Sequence, residues 1–415
     1  FHVHICFATP GTDFPEEPEI ETTGLNIGPV ILLVFAFLRP IATAIHQIGS
    51  VSILDIFGIG SSYLIILGII TSIRSIQLNF TLMLMLFFCF YAVLSMLWGS
   101  EYRDLVRMIF PFLPFVLAAA AIKSAKHIRM IIYALILGYL IPILGSTFLI
   151  LVGKSETFIG SSMIERQAGL ASGVHTLGHA MLFFSFVYAF YLLLIDRREK
   201  STEFKLATLL FMLSLFCMYK SYTRTVFLGC LIFWVIYLWE SNKKALIFLI
   251  VAVSIISVSY EAEVHNLIWQ TRGLSKVSHD INTASSGRIW IWEHNLKIFS
   301  QLPFTTILLG VGLGHELDST PDALSKWIGS HNDYMSLSLM LGLLGLLIYL
   351  MIYGAVFGTL LKSNINRRYK YLYIGMLVSI FTMNFVSNSY IVRFQMAQML
   401  WLFVGILYAC ERIEL

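Results

Sequence analysis

"GSHNDYMSLSLMLGLLGLLIYL", residues 329–350, sets a histidine, an amide and a carboxylate directly in front of an apolar run long enough to cross a bilayer. A helix rises 1.5 Å per residue, so about 20 apolar residues cover roughly 30 Å of hydrocarbon. Runs of this length recur along nearly all of the 415 residues, 58% of which are hydrophobic and only 13% charged. One soluble core cannot use so much apolar surface. The chain therefore reads as an all-α, polytopic membrane helix bundle. The alternating segments of a membrane barrel are absent, and no nucleic-acid partner is expected.

Working outward from that stretch, the sequence predicts twelve spans near residues 27–45, 51–73, 78–98, 105–122, 127–153, 173–195, 205–220, 223–241, 243–260, 334–361, 369–389 and 391–411. Arg39 and Pro40 interrupt the first. The organisation that follows is a tail (1–26), nine spans (27–260), one large loop (261–333), three spans (334–411) and a short tail (412–415). The opening "FHVHICFATPGTDFPEEPEIETTG" is acidic and Pro-rich, with neither a basic start nor an apolar core, and reads as a tail rather than a signal peptide. Cys6, Cys89, Cys217, Cys230 and Cys410 make no CxxC or metal-ligand spacing, and four of them fall inside spans, where cysteine behaves as a small hydrophobe.

Charge asymmetry orients the bundle. With a cytoplasmic amino end, "SIRSIQ", "AIKSAKHIR", "DRREKSTEFK", "SNKK" and "KSNINRRYK" all fall on the inner side, as the positive-inside rule requires. The loop 261–333 then faces outward. Arginines remaining on that outer side want a reason: Arg166 in "IERQAGLASGVH", Arg224 in "YKSYTRTVFLG", Arg288 in "TASSGRIWIWEHNLKIF" and Arg393 in "SNSYIVRFQM". One such arginine can snorkel to the interface, but several at one membrane face make an anion site, because a planar guanidinium grips phosphate through two parallel hydrogen bonds. In the outer loop an aromatic-rich helix is predicted over "IWIWEHNLKIF", at headgroup level. Gly310, Gly312 and Gly314 lack the spacing of a dinucleotide fingerprint and read as a close-packed turn.

"SYTRTVFLG" opening a span, "SGRIWIW" followed by "GVGLGHE", and "SHNDYMSLSLMLGLLGLLIYL", in this order on this topology, resemble the carboxyl half of the O-antigen ligase and polymerase family, best from about residue 215 to 360. The resemblance implies a glycosyltransferase at the periplasmic face of the bacterial inner membrane. It would be inverting, would need neither metal nor cofactor, and would take an oligosaccharide donor linked to undecaprenyl diphosphate. A polymerase would pass the glycan to another repeat unit of O-antigen or exopolysaccharide, a ligase to lipid A core. Membrane lipid and a chain-length regulator are the further partners expected.

In such a reaction a sugar hydroxyl must lose a proton and a departing diphosphate must be stabilised as it gains charge. His331 is the candidate base, since fixed arginines nearby disfavour the imidazolium and leave a ring able to accept a proton. Arg224 and Arg288 are assigned to the diphosphate, with Arg166 beside them. Asn332, Asp333 and Tyr334 are assigned supporting roles on the other faces of the same turn. The competing reading of that turn is a plain helix cap built by Ser330 and Asn332. Other outward groups, His175, His179, His279, His294, His315 and Glu293, are alternative bases, and His175 with His179, four residues apart, could pair on a metal if a third ligand existed. Glu316, Asp318 and Asp322 are the acidic loop residues available as such ligands. A transporter for a lipid-linked glycan is the alternative from another class, and it would call for internal symmetry that the two halves do not display.

Overall fold

The computed structural model describes residues 27–44, 47–48, 51–99, 102–159, 165–195, 201–259, 288–313, 331–387, 391 and 393–413. The acidic tail and much of the 261–333 loop lie outside the described residues, and with them His279, Ser285, Gly314, His315, Glu316, Asp318, Asp322 and Ser330.

A helix lies over each of the twelve predicted spans: α1 (Gly28–Ala44), α2 (Ile53–Thr71), α3 (Phe80–Leu94), α4 with α5 (Tyr102–Ile109, Leu113–Ala121), α6 (Ala125–Leu151), α7 (Val174–Leu194), α8 (Ser201–Ser221), α9 (Arg224–Ser241) and α10 (Lys243–Ser259). Two short helices, α11 (Arg288–Gln301) and α12 (Phe304–Leu309), precede α13 (Asp333–Lys362), α14 (Arg367–Val386) and α15 (Phe394–Arg412). The aromatic-rich helix is thus α11. Strand is confined, among the described residues, to two hairpins, β1 (Gln47–Ile48) with β2 (Val51–Ser52) and β3 (Thr157–Ile159) with β4 (Glu165–Gln167).

Among the described residues, eight helical spans are long and apolar enough to cross a membrane. The physical reasons for the others are local. α1 and α10 each stop at 17 residues, and the first turn of α14 is diluted by Arg367, Arg368 and Lys370. The span predicted at 105–122 is two helices joined by a 3₁₀ turn at Phe110–Phe112, because Pro111 and Pro114 have no N–H to continue the ladder.

α7 and α15 are 83% and 78% buried over their apolar windows, against 28–56% for the other six, so these two form the interior and the rest face lipid. Phe183 and Phe190 of α7 meet Phe403 of α15 at ring distances of 6.3 and 6.1 Å, and Phe186 meets Phe233 of α9 at 4.6 Å. α9 and α14 approach closely enough for the Ser379 hydroxyl to donate to the Gly229 carbonyl at 2.7 Å, a small-residue contact of the kind that joins helices where water gives no hydrophobic drive.

α13 is broken. Gly342, nine residues past Asp333 and so roughly 14 Å down the helix, has φ 68° and ψ −177°. Non-helical backbone at such depth must be satisfied by protein. The turn after α12 does this: the Val311 and Gly312 N–H groups donate to the Leu339 and Met340 carbonyls at 2.8 and 3.0 Å, while the Tyr91 hydroxyl lies 3.0 Å from the Leu341 carbonyl. The fit leaves no space for a side chain, since a Cβ at Gly342 would fall 2.2 Å from the Leu308 oxygen and one at Gly310 2.3 Å from the Met340 oxygen. Gly310 and Gly312 therefore pack closely at the break in α13, and both of their amides are already spent on carbonyls.

Candidate active site

The described residues include two non-glycine residues with left-handed backbone, Tyr222 at φ 46° and His331 at φ 49°. Such a conformation costs an L-residue about 1–2 kcal/mol and persists only where surrounding structure enforces it. Both stand two residues before a helix start that the sequence had marked: Tyr222 before Arg224 of α9, and His331 before Asp333 of α13.

At the second start the three residues after His331 hold the backbone. Asn332 is the N-cap of α13, its side chain accepting from the Met335 N–H at 3.1 Å, so the capping role anticipated for it is real. Asp333 is fully buried and accepts from the Ile391 N–H at 3.2 Å. Tyr334 is buried against Phe385 at 4.6 Å, and its hydroxyl donates to the Phe381 carbonyl at 3.1 Å. His331 itself is half-buried above them.

At the first start Thr223 is the N-cap of α9 but makes no capping bond. Its hydroxyl instead donates to the Val174 carbonyl at 3.3 Å and lies 3.4 Å from Nη2 of Arg166, whose Nε donates to the Ser221 carbonyl at 3.2 Å. Arg166 is carried on β4, opposite Phe158 of β3, and so is held by both strand pairing and the α8–α9 corner. Arg224 follows directly as the first residue of α9, half-buried.

These segments meet at one end of the bundle. The positive charges of Arg166, Arg393 and Arg288 all act on the ring of His175, in the first turn of α7, and those of Arg393 and Arg288 reach His179 below it. Arg393 is the N-cap of α15, two residues past Ile391, which Asp333 holds. Arg288 opens α11. His331 thus stands two residues before Asp333, which holds Ile391 two residues before Arg393, and the charges of Arg393 and Arg166 act on His175, while Arg166 is bonded to Thr223, the residue before Arg224. The structure brings together three arginines that are separated by more than a hundred residues in the chain, and it gives His175 a central place that spacing alone did not indicate.

The alternatives fare differently. His179 Nδ1 lies 2.7 Å from the His175 carbonyl, so one ring nitrogen is taken up by its own helix. His294 stacks on Trp290 at 6.1 Å in α11, and Glu293 beside it is exposed. Among the described residues no three histidine, cysteine or acidic side chains converge as a metal set would need.

A further arginine, passed over in the sequence as an interruption, lies near this end. Arg39 of α1 is fully buried, and none of its three guanidinium nitrogens has a hydrogen-bond acceptor. Its carbon sits 5.6 Å from the Phe57 ring and 6.0 Å from that of Phe394, the residue after Arg393. Two such contacts contribute about 2 kcal/mol each at most, while taking a charge of this kind out of water costs several kcal/mol even after relaxation. The signal that could have found it was plain: a charge inside a span is a functional candidate by default.

Comparison with known families places residues 209–350 in agreement with the O-antigen ligase family, the stretch that includes α9, α11, the glycine turn, His331 and the broken helix. No curated protein matches the chain. The family match and the helical membrane architecture together support a membrane protein of O-antigen ligase or polymerase type.

Proposed function

Taking that family as the premise, we propose that the chain transfers a glycan from undecaprenyl diphosphate to a sugar hydroxyl at the outer face of the bacterial inner membrane. The observation that carries this reading is that the charges of Arg166, Arg288 and Arg393 all act on one half-buried ring, that of His175, while Arg166 is tied to the start of α9 through Thr223 and Ser221 and His331 is held in strained backbone. Fixed guanidinium groups in a water-poor setting suit a diphosphate that gains charge as the bond to the sugar breaks.

In the proposed step the acceptor hydroxyl attacks the anomeric carbon from the face opposite the diphosphate, inverting it. The bond between that carbon and the diphosphate oxygen breaks, and its electron pair stays on the oxygen, facing Arg224, Arg288 and Arg166. His331, as neutral imidazole, takes the hydroxyl proton. Asn332, Asp333 and Tyr334 act through it, by fixing the helix start on which it stands. Charge neutralisation by arginine accounts for the reaction without calling on a metal ion, so transfer is expected to survive EDTA.

The acceptor we propose is a further repeat unit of O-antigen or exopolysaccharide, which makes the protein a polymerase. The second reading, ligation to lipid A core, is favoured by the description of the matching family. Incubation of the purified protein with lipid-linked repeat units, with and without lipid A core, separates them: longer chains on the polyprenyl lipid mean polymerisation, glycan on the core means ligation, and neither product overturns the enzyme reading. Sidedness has its own test. A cysteine placed near Ser285 is expected to react with an impermeant reagent from outside the inner membrane and one near Asn366 is not; the reverse pattern would leave the arginines obeying the positive-inside rule and remove the reason for assigning them a ligand.

A further inference from the structure

Arg39 has no part in the mechanism above, and its setting demands an explanation. It is enclosed within the bundle, and no hydrogen-bond acceptor meets any of its guanidinium nitrogens. Among the described residues, the one ionisable group acting on it is the phenol of Tyr139. A structural arginine is normally held by carbonyls or a carboxylate, because a buried cation left with aromatic rings alone is poorly compensated.

The neighbourhood carries a second unpartnered group. Gln398 is fully buried in α15, and neither its amide oxygen nor its amide nitrogen has a hydrogen-bond partner. It lies four residues past Phe394, on the same helix face and one turn on from the ring that touches Arg39. A guanidinium and a carboxamide, both enclosed and both without partners, supply several N–H donors suited to an anionic oxygen cluster against a single amide oxygen as acceptor. Phe394 also fixes where this pair sits, because the residue before it, Arg393, acts on His175 and His179. Arg39 therefore lies one aromatic ring behind the arginine cluster, and Gln398 lies one helical turn along α15 from that ring.

We propose that Arg39, with Gln398, forms a second anion subsite inside the bundle that binds a phosphate group of the lipid-linked donor behind the outer arginines. This inference rests on the donor reading above for the identity of the anion, and on the buried pair for the existence of the subsite. The shared chemistry is a phosphate-type anion, which could come from a polyprenyl diphosphate, from free pyrophosphate or from a bilayer headgroup.

The experiment measures thermal stability of the full-length protein in detergent against inorganic pyrophosphate, undecaprenyl diphosphate, undecaprenol and phosphatidylglycerol, for wild type, Arg39→Met, Arg39→Lys and Gln398→Leu. Pyrophosphate and undecaprenyl diphosphate are expected to raise the melting temperature of wild type, and undecaprenol and phosphatidylglycerol are not. Arg39→Met, an apolar replacement of similar length, is expected to melt at or above the wild-type temperature without ligand and to bind both diphosphates about tenfold more weakly or worse. Arg39→Lys keeps the charge but not the fork, and Gln398→Leu keeps the arginine, so both are expected to bind more weakly than wild type if Arg39→Met proves unfolded. An unchanged diphosphate response in Arg39→Met, or in Arg39→Lys and Gln398→Leu together, overturns the subsite, as does a wild-type protein that responds to no anion. Stabilisation by phosphatidylglycerol alone, lost in Arg39→Met, overturns the assignment to the donor. Stabilisation by inorganic pyrophosphate but not by undecaprenyl diphosphate, lost in Arg39→Met, upholds the subsite while sinking the lipid-diphosphate reading of the function.

Discussion

α9 and α13 start in the same way, with a residue forced into left-handed backbone, a polar N-cap and a charged first residue, yet they put their caps to different use. Asn332 spends its side chain on its own helix, accepting from Met335. Thr223 leaves its helix uncapped and turns its hydroxyl to the Val174 carbonyl and Arg166. The difference marks two kinds of site. Around His331 the neighbours stabilise a backbone so that one ring is presented, whereas around Arg224 the local helix is left weaker so that β4, the start of α7 and the end of α8 can be tied together through Arg166 and Thr223.

The comparison can be broken or sharpened by mutation, beginning with the largest effect. His331→Ala is expected to lower turnover about a thousandfold, within the range for loss of a general base, while affinity for undecaprenyl diphosphate stays within about twofold. Turnover near wild type in folded protein would reduce His331 to a helix-start residue. Arg288→Ala and Arg166→Ala are each expected to cost about a hundredfold in kcat/KM and to weaken donor binding as well, with little rescue by lysine, because an ammonium cannot reproduce the two-point grip. Equal rescue by lysine would point to a diffuse charge effect instead.

Smaller effects probe the caps directly. Thr223→Val, which keeps the shape and removes the hydroxyl, is expected to lower turnover about tenfold with little loss of stability, since the hydroxyl caps nothing and orients Arg166. Asn332→Ala is expected to do the opposite, losing about 1 kcal/mol of stability in a denaturation series, as capping residues do, with a smaller change in turnover. Should the two variants behave alike, the distinction between the two helix starts fails. The smallest effect is predicted for Tyr222→Gly: relief of the left-handed strain offsets the entropy of glycine and the lost contact with Tyr219, leaving stability within about 1 kcal/mol, while turnover falls as Arg166 and Arg224 lose a fixed corner.

Much of this architecture was legible beforehand because membrane helices write themselves into composition: every predicted span has a helix over it, and α11 and the glycine turn are where aromatic and glycine patterns put them. Residues whose chemistry is local were also readable, as with Asn332 before an apolar run. What was hidden depends on tertiary placement. Nothing in "SGVHTLGHA" says that His175 will sit among arginines from β4, α11 and the start of α15, because those contacts are made by packing of interior helices and not by spacing. Arg39 was visible but misjudged, since its lack of acceptors is a property of the folded bundle. The break at Gly342 was equally out of reach, as one glycine among several in a leucine-rich run looks like any other until the 310–313 turn is seen against it.

That break bears on how the protein is made. The nine residues of α13 before Gly342 are too short to cross a bilayer as a helix of their own, and the carbonyls of Leu339 and Met340 find their donors on a segment synthesised earlier, at Val311 and Gly312. The histidine proposed as the base therefore stands before a half-helix whose backbone is completed by the turn at Val311 and Gly312. Docking of that turn needs α13 to be in place, so assembly of this end of the bundle is expected to follow insertion of α13. A chain carrying Gly342→Ala should accordingly reach the membrane with its full set of spans, yet be cut by added protease near residue 311, where wild type is protected.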